Sequence, residues 1–336
     1  EVGTDYLQVT MGTVVVLVAL VIGSGALRGA GDSRTPMVVT AIANVVHVVL
    51  AYGLIYGYWG LPALGAVGSA WATFLARALA LVLLLGALWK GRNGVSIAGR
   101  AGWRPDWSVA RRVLNLGVPA SVEQMLTSTG FLVLTIMVAH LGTDSLAAQR
   151  ISMSALSFSF LPGIGFAIAA TALVGQSIGA CRPREGAAAA KVATTWAMVW
   201  MGTIGVLLLV GAEVIMRLFT ADPNVVRIGA AALRVVALTQ PLLGLGMVQS
   251  GALRGTGDTR FPLLIGGLSM WCTVALAWLL LRFVGGGLTL VWVAFLLTSP
   301  LVPVLSWRRF RRRVSDLEAE SVIVVRPQAI GHSEAG

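Results

Sequence analysis

The sequence predicts an all-α polytopic membrane protein, and three observations carry that reading. Hydrophobic residues make up 57% of the 336 residues and charged residues only 12%. A soluble domain carries about 45–50% and about 25%. The mean hydropathy is +0.83, so a water-soluble globule of this composition would expose large apolar patches. The apolar residues also fall in runs of about 20, the length a helix needs to cross the hydrocarbon core. Runs such as Val14–Ile22 and Leu79–Leu88 lack the alternation of a β-barrel strand. The same figures exclude intrinsic disorder. Two cysteines, Cys181 and Cys272, exclude a disulfide scaffold and any multi-cysteine metal site.

Taken in order, the runs predict nine spans near 7–27, 36–58, 64–89, 113–139, 146–176, 190–218, 228–252, 261–284 and 287–307. Gly and Pro inside them are tolerated, because neighbouring helices re-satisfy the freed backbone groups. Segment 91–112, with Lys, Arg, Gly and two Trp, reads as a linker lying on a membrane surface. It separates a three-helix portion, 1–90, from a six-helix portion, 113–307. The tail 308–336 is basic and then acidic, and it reads as disordered.

The formal net charge is +11 and the isoelectric point about 11.1. Nucleic-acid binding would gather that charge on one accessible face. Here Lys and Arg instead punctuate the apolar runs. Eighteen lie in one alternate set of connections, while the opposite loops, near 57–64, 140–146, 217–224 and 282–287, hold only Arg217 and Arg282. This is a positive-inside pattern; it predicts a multi-pass protein of the plasma (inner) membrane with a cytoplasmic C-terminus. Nine spans then place residue 1 outside.

An internal repeat bears on that odd number of spans. Gly25-Ala-Leu-Arg-Gly-Ala-Gly-Asp-Ser-Arg-Thr-Pro36 recurs as Gly251-Ala-Leu-Arg-Gly-Thr-Gly-Asp-Thr-Arg-Phe-Pro262, offset by 226 residues with nine of twelve positions identical. Six spans separate the copies, so the repeats are parallel. At this offset residue 1 corresponds to Arg227. The sequence therefore leads us to expect about 108–120 preceding residues carrying three further helices.

Within the repeat, Arg28 and Asp32, like Arg254 and Asp258, are four residues apart, close enough for an ion pair across the turn. The aspartates sit where an N-cap of the following helix belongs. Pro36 and Pro262 fall in its first turn, where a missing N–H costs little. A phosphate-binding loop is excluded by context, since no strand precedes it.

The repeated loops, together with Leu116–Gln124, Leu141–Ala148, Val174–Ala180, Phe219–Val225 and Gly65–Thr73, resemble the multidrug and toxic compound extrusion (MATE) family. The resemblance runs in order along the chain up to about residue 307. It implies helices four to twelve of a twelve-helix antiporter made of two pseudo-symmetric six-helix bundles, the first incomplete here. It also implies export of amphipathic, cationic compounds against inward Na⁺ or H⁺, with no enzyme activity and no cofactor beyond the coupling ion.

Coupling needs a cation-binding group inside the membrane, where a charge is stable only when paired, hydrated or neutralised. Of the carboxylates only Glu123 lies deep in a predicted span, and it matches the family's helix-seven glutamate. Gln124 and Thr127 lie within one turn and offer oxygen ligands suited to transient Na⁺. A structural hydrogen bond is the alternative role for Glu123. Thr40, Asn44, His47 and Ala51 share one helix face. One branch of the family has a cation-binding Asp where this chain has Ala51, so coupling through that position is not expected. His47 adds an imidazole that can take up a proton, and Arg77 sits mid-span, too deep to snorkel easily. Met270 and Trp271 either line a greasy cavity for aromatic cations or pack against lipid. Another branch places an Asp in helix ten; span 228–252 has no carboxylate, and its polar residues are Arg234, Gln240 and Gln249. Arg77 and Arg234 keep open a second reading, a lipid-linked saccharide flippase, and a non-transporting membrane protein is a third.

Overall fold

The computed structural model describes residues 2–91, 94–98 and 106–330, and its chain divides into two compact units, Glu1–Pro105 and Asp106–Gly336. Both are built from helices. Unit 1 holds α1 (Val2–Gly12), α2 (Val14–Gly29), α3 (Arg34–Tyr56) and α4 (Gly65–Trp89), with a short 3₁₀ turn at Tyr58–Gly60. Unit 2 holds α5 (Trp107–Ala139), α6 (Thr143–Gly179), α7 (Pro183–Phe219), α8 (Pro223–Ala237) and α9 (Gln240–Gly255). It continues with α10 (Arg260–Phe283), α11 (Leu288–Thr298) and α12 (Leu301–Ile330).

Seven helical segments among the described residues are long and apolar enough to cross a bilayer, α11 and α12 together forming one of them (Leu288–Glu320). Two more spans arise from helix pairs broken at one point: α1–α2 bends by 40° and α8–α9 by 52°. Counting each bent pair as one span gives nine candidate spans among the described residues, the number the apolar runs predict, and side chains such as Val15, Val210 and Leu218 stand exposed around them. Outward-facing apolar surface is what a lipid solvent requires.

The two bends were not legible in the apolar pattern, yet they fall at equivalent places in the repeat, Thr13 and Thr239. A break leaves backbone carbonyls without helical donors, and in hydrocarbon these must be re-satisfied. At the first bend the Thr13 hydroxyl donates to Thr10 O at 2.8 Å. At the second the Thr239 hydroxyl donates to Val236 O at 2.7 Å, and Gln240 Nε2 adds a bond to the same carbonyl at 3.4 Å. Pro241, one residue further on, removes an N–H at the second bend only.

The turns after α2 and α9 are also equivalent. Asp32 N and Asp258 N each donate to the carbonyl of a leucine five residues back, Leu27 at 2.9 Å and Leu253 at 3.1 Å. Gly31 and Gly257 supply the left-handed residue this needs, with φ of 89° and 83°. Each aspartate then caps the next helix: Asp32 Oδ1 accepts from Thr35 N at 3.0 Å and Asp258 Oδ1 from Phe261 N at 3.2 Å.

Two boundaries differ from the expectation. α5 begins at Trp107, so residues 107–112 belong to a helix and not to the linker, because Asp106 caps Ser108 N and Val109 N. Bonds from the Ser108 side chain and backbone, then from Val109 N–H, hold the Asp106 carboxyl below the usual carboxylate range. Linker residues 92–93 and 99–105 lie outside the described residues. The second difference is a correction: residues 308–330 are helical, because α12 runs on to Ile330. Phe310 and Val314, one turn apart, are buried with Val174, Ala190 and Leu253. The same face runs on to Glu318, which Arg184 Nε meets at 3.2 Å, while the polar character of the tail comes from exposed positions such as Arg308, Arg311 and Asp316. Residues 331–336 lie outside the described residues.

The core of unit 2 gathers Leu134, Leu156, Leu208, Met216, Leu233 and Trp292 from five helices. α6 and α9 cross closely at small residues: a methyl group at Gly251 would come within 2.5 Å of Ala167 O, and one at Gly255 within 2.6 Å of Thr171 O. Such small-residue crossings let helix backbones approach in membranes. Here the Thr171 hydroxyl bridges them, donating to Gly251 O at 2.8 Å.

Candidate functional site

Each unit has its own membrane-level cavity. In unit 2 a cavity of about 500 Å³ opens between α5, α6, α9, α10 and α11–α12. Its walls are largely apolar, with Phe131, Phe160, Met247, Met270 and Phe295, and its polar groups include Thr171, Ser250, Ser269, Thr273 and Thr298. Glu123 and Arg254 face each other across one end of it, Arg254 Nη2 donating to Glu123 Oε1 at 2.7 Å. The Glu123 side chain is 13% exposed and that of Arg254 36%. The second carboxylate oxygen, Oε2, is buried and has no hydrogen-bond partner among the described residues; Arg254 Nε is in the same position. A nearly buried carboxylate, paired through one oxygen, thus keeps its other acceptor unused beside an apolar cavity.

This arrangement corrects the expectation for the repeat turn. Arg254 does not pair across the turn with Asp258; it reaches Glu123, 131 residues away in sequence. Asp258 instead accepts from Arg309 Nε at 3.0 Å, and the Arg309 guanidinium lies 5.5 Å from the centre of the Phe261 ring. Arg254 is therefore the functional-site residue that sequence spacing assigned elsewhere. The signal available was its surroundings: the residue sits in the last turn of a helix among the small residues Ser250, Gly251, Ala252 and Gly255, which let another helix approach.

Gln124 and Thr127 line the cavity, but their hydrogen bonds run elsewhere. The Thr127 hydroxyl donates to the Glu123 backbone carbonyl at 2.9 Å and Gln124 Nε2 to Ser128 at 3.4 Å. Neither contacts the carboxylate through these bonds. Met270 is buried at 6% exposure and lines the cavity, whereas Trp271, 40% exposed, is not among its walls. One residue along a helix turns a side chain by about 100°, which separates this neighbouring pair.

In unit 1 a cavity of about 310 Å³ is lined by Thr40, Asn44 and His47 of α3 and by Thr73 and Arg77 of α4. The structure thus brings Asn44, His47 and Arg77 together, and Ala51 is absent from the walls. His47 Nε2 lies 3.1 Å from Thr73 Oγ1, while that hydroxyl is committed as a donor to Ser69 O at 2.8 Å. With that hydroxyl donating to Ser69 O, Thr73 Oγ1 is free to accept from the imidazole. Arg234, the other arginine of interest, lines neither cavity; Arg234 Nη2 donates to Glu213 at 2.9 Å on the α7–α8 pair.

A profile of the MatE family matches residues 1–53 and 119–279. The chain belongs to the MatE family. Among MatE relatives, a probable multidrug resistance protein NorM of Thermotoga maritima is 30% identical over 293 residues, covering 87% of this chain and 63% of its own length. A probable multidrug resistance protein NorM of Bradyrhizobium diazoefficiens is 30% identical over 304 residues, covering 88% and 65%. The chain thus spans just under two thirds of these relatives. A crystal structure of MATE in the bent conformation superposes with a TM-score of 0.84 at 22% identity, over 95% of this chain and 70% of that one. An outward-facing multidrug resistance MATE transporter of the MOP superfamily gives 0.85 at 21% identity, over 94% and 70%. At this level of identity the likeness is one of fold.

Proposed function

We propose that the chain is part of a cation-coupled multidrug exporter of the plasma membrane, with its C-terminus cytoplasmic. Its substrates are amphipathic cations, and the coupling ion, Na⁺ or H⁺, loads at Glu123. The observation that carries the reading is the buried, unpartnered Glu123 Oε2 at the edge of an apolar, membrane-level cavity. Family membership and the relatives named for multidrug resistance support the same substrate class.

Charge accounts for the exchange. With Glu123 ionised and Arg254 beside it, the site is neutral. A proton or Na⁺ reaching Oε2 competes with Arg254 for the carboxylate and leaves the site with one net positive charge. A cationic substrate in the same cavity does the same. Holding both at once would put two uncompensated positive charges in a medium of low dielectric, where like charges repel strongly. Ion and substrate therefore displace each other, and each favours the state that binds it better. The two bundles expose the loaded cavity to alternate sides of the membrane. Gln124 and Thr127 act only as donors in the bonds they make here, so Gln124 Oε1 and Thr127 Oγ1 keep lone pairs to offer Na⁺.

The saccharide-flippase reading has less support. It drew on Arg77 and Arg234, and these line different cavities, with Arg234 neutralised by Glu213. The test of the exporter reading is Glu123→Ala in the full-length protein, scored as growth of expressing cells on a cationic dye. Loss of resistance at unchanged membrane expression is expected; resistance at the wild-type level would overturn Glu123 as the coupling group.

A further inference from the structure

The loop joining α7 to α8 carries a basic cluster that the exporter reading does not use. Glu213 and Arg217 of α7 and Arg227 and Arg234 of α8 line a cavity of about 680 Å³ together with Thr220. The four side chains lie at different distances from the helix ends. Arg217 lies two residues before the end of α7 and Arg227 four residues into α8, roughly 3 and 6 Å along the helix axes. Glu213 and Arg234 lie six and eleven residues from the same helix ends, roughly 9 and 16 Å along the axes. Arg234 is paired with the Glu213 carboxylate at 2.9 Å. Arg217 and Arg227, both exposed, have no carboxylate partner among the described residues. Asp222, beside them in the loop, is committed to capping α8 through Asn224 N at 2.8 Å and Val225 N at 3.4 Å.

The geometry points to a phosphate-binding site here, in which Arg217 and Arg227 clamp a phosphate group from two helices while the Glu213–Arg234 pair forms its floor. Guanidinium groups bind phosphate oxygens through paired, charge-assisted hydrogen bonds. At the end of a helix long and apolar enough to cross a bilayer, the headgroup of an anionic phospholipid presents such oxygens, and a free phosphate ester in solution offers the same chemistry. The cluster stands out because the loops on this side of the membrane are otherwise poor in Lys and Arg.

The experiment uses the full-length protein purified in detergent and incubated with equal parts of phosphatidylglycerol and phosphatidylcholine. Native mass spectrometry then counts retained lipids, and a parallel arm follows the unfolding midpoint in inorganic phosphate. Wild type should retain phosphatidylglycerol in preference to phosphatidylcholine. Arg217→Gln/Arg227→Gln should lower that preference by about tenfold, the scale of losing charge-assisted bonds, while unfolding normally in phosphatidylcholine alone. Should the double variant fail to fold, Arg227→Gln alone, at an exposed position, decides the question. A midpoint raised by inorganic phosphate in wild type but not in the variant supports the site and assigns it to a soluble phosphate ester. Lipid preference lost without any response to inorganic phosphate supports it and assigns it to the headgroup. Preference and phosphate response both unchanged in the variants would overturn the proposal.

Discussion

The turn after α2 and the turn after α9 are built from nearly the same twelve residues but have different neighbours. In both, a leucine at the turn (Leu27, Leu253) packs on two residues of a later helix, Leu84 and Leu88 of α4 or Phe310 and Val314 of α12. All three pairs are related by the 226-residue offset. The second copy is covered further: α6 lies across Gly251 and Gly255, Arg254 reaches Glu123, and Arg309 closes on Asp258. In the first copy a methyl group at Gly25 or Gly29 would meet no atom within 4 Å, and Asp32 accepts from the Thr35 hydroxyl at 2.6 Å. The repeated sequence therefore encodes the turn and its packing on the following helices. What the turn does chemically depends on which helix is laid over it.

That contrast can be broken experimentally, beginning with the packing that the copies share. Phe310→Ala and Leu84→Ala each empty a buried position, and each should cost about 2–5 kcal/mol. Unfolding in denaturant, followed in unit 2 for Phe310 and in unit 1 for Leu84, would measure both. A negligible cost at Phe310 would mean that α12 is not docked beyond residue 307. The next effect should differ in sign between the copies. Gly251→Ala forces a methyl group onto a backbone carbonyl and should cost about 1–3 kcal/mol. Gly25→Ala meets open space in this chain, and it should be neutral or stabilising by up to about 1 kcal/mol from helix propensity. An equal cost at Gly25 in the full-length protein would show that another helix covers that face too. Smallest of all should be Arg309→Gln, which removes a half-exposed ion pair worth about 0–1 kcal/mol. Its midpoint shift should shrink further in high salt; a shift that salt leaves unchanged would point to the Phe261 stacking contact instead.

The sequence made much of the fold legible for identifiable reasons. Span number follows from the apolar runs, and the turn geometry follows from Asp, Gly and Pro at fixed offsets. The bends at Thr13 and Thr239 escaped because a broken transmembrane helix keeps its apolar composition. The continuation of α12 escaped because hydropathy falls at Arg308 although one face stays apolar. The repeat itself held that information, since Leu84 and Leu88 lie inside an unambiguous span and map onto Phe310 and Val314. At the site, Glu123 was legible as a carboxylate deep in a predicted span. Its partner was not, because an Asp four residues from Arg254 offered a local alternative and only tertiary packing brings α9 to α5. Gln124 and Thr127, chosen as sequence neighbours, line the same cavity as Glu123, whereas helical rotation takes Trp271 off its walls.

The central claim is that Glu123 and Arg254 form the seat of ion–substrate competition. Dye efflux from proteoliposomes of the full-length protein tests it most directly, with a Na⁺ gradient and a pH gradient imposed separately on wild type and Glu123→Gln. Wild type should respond to at least one gradient. The variant, which keeps the shape of the side chain but has no charge to offer a cation, should bind dye and respond to neither. Gradient-driven efflux by Glu123→Gln at the wild-type rate would contradict the account.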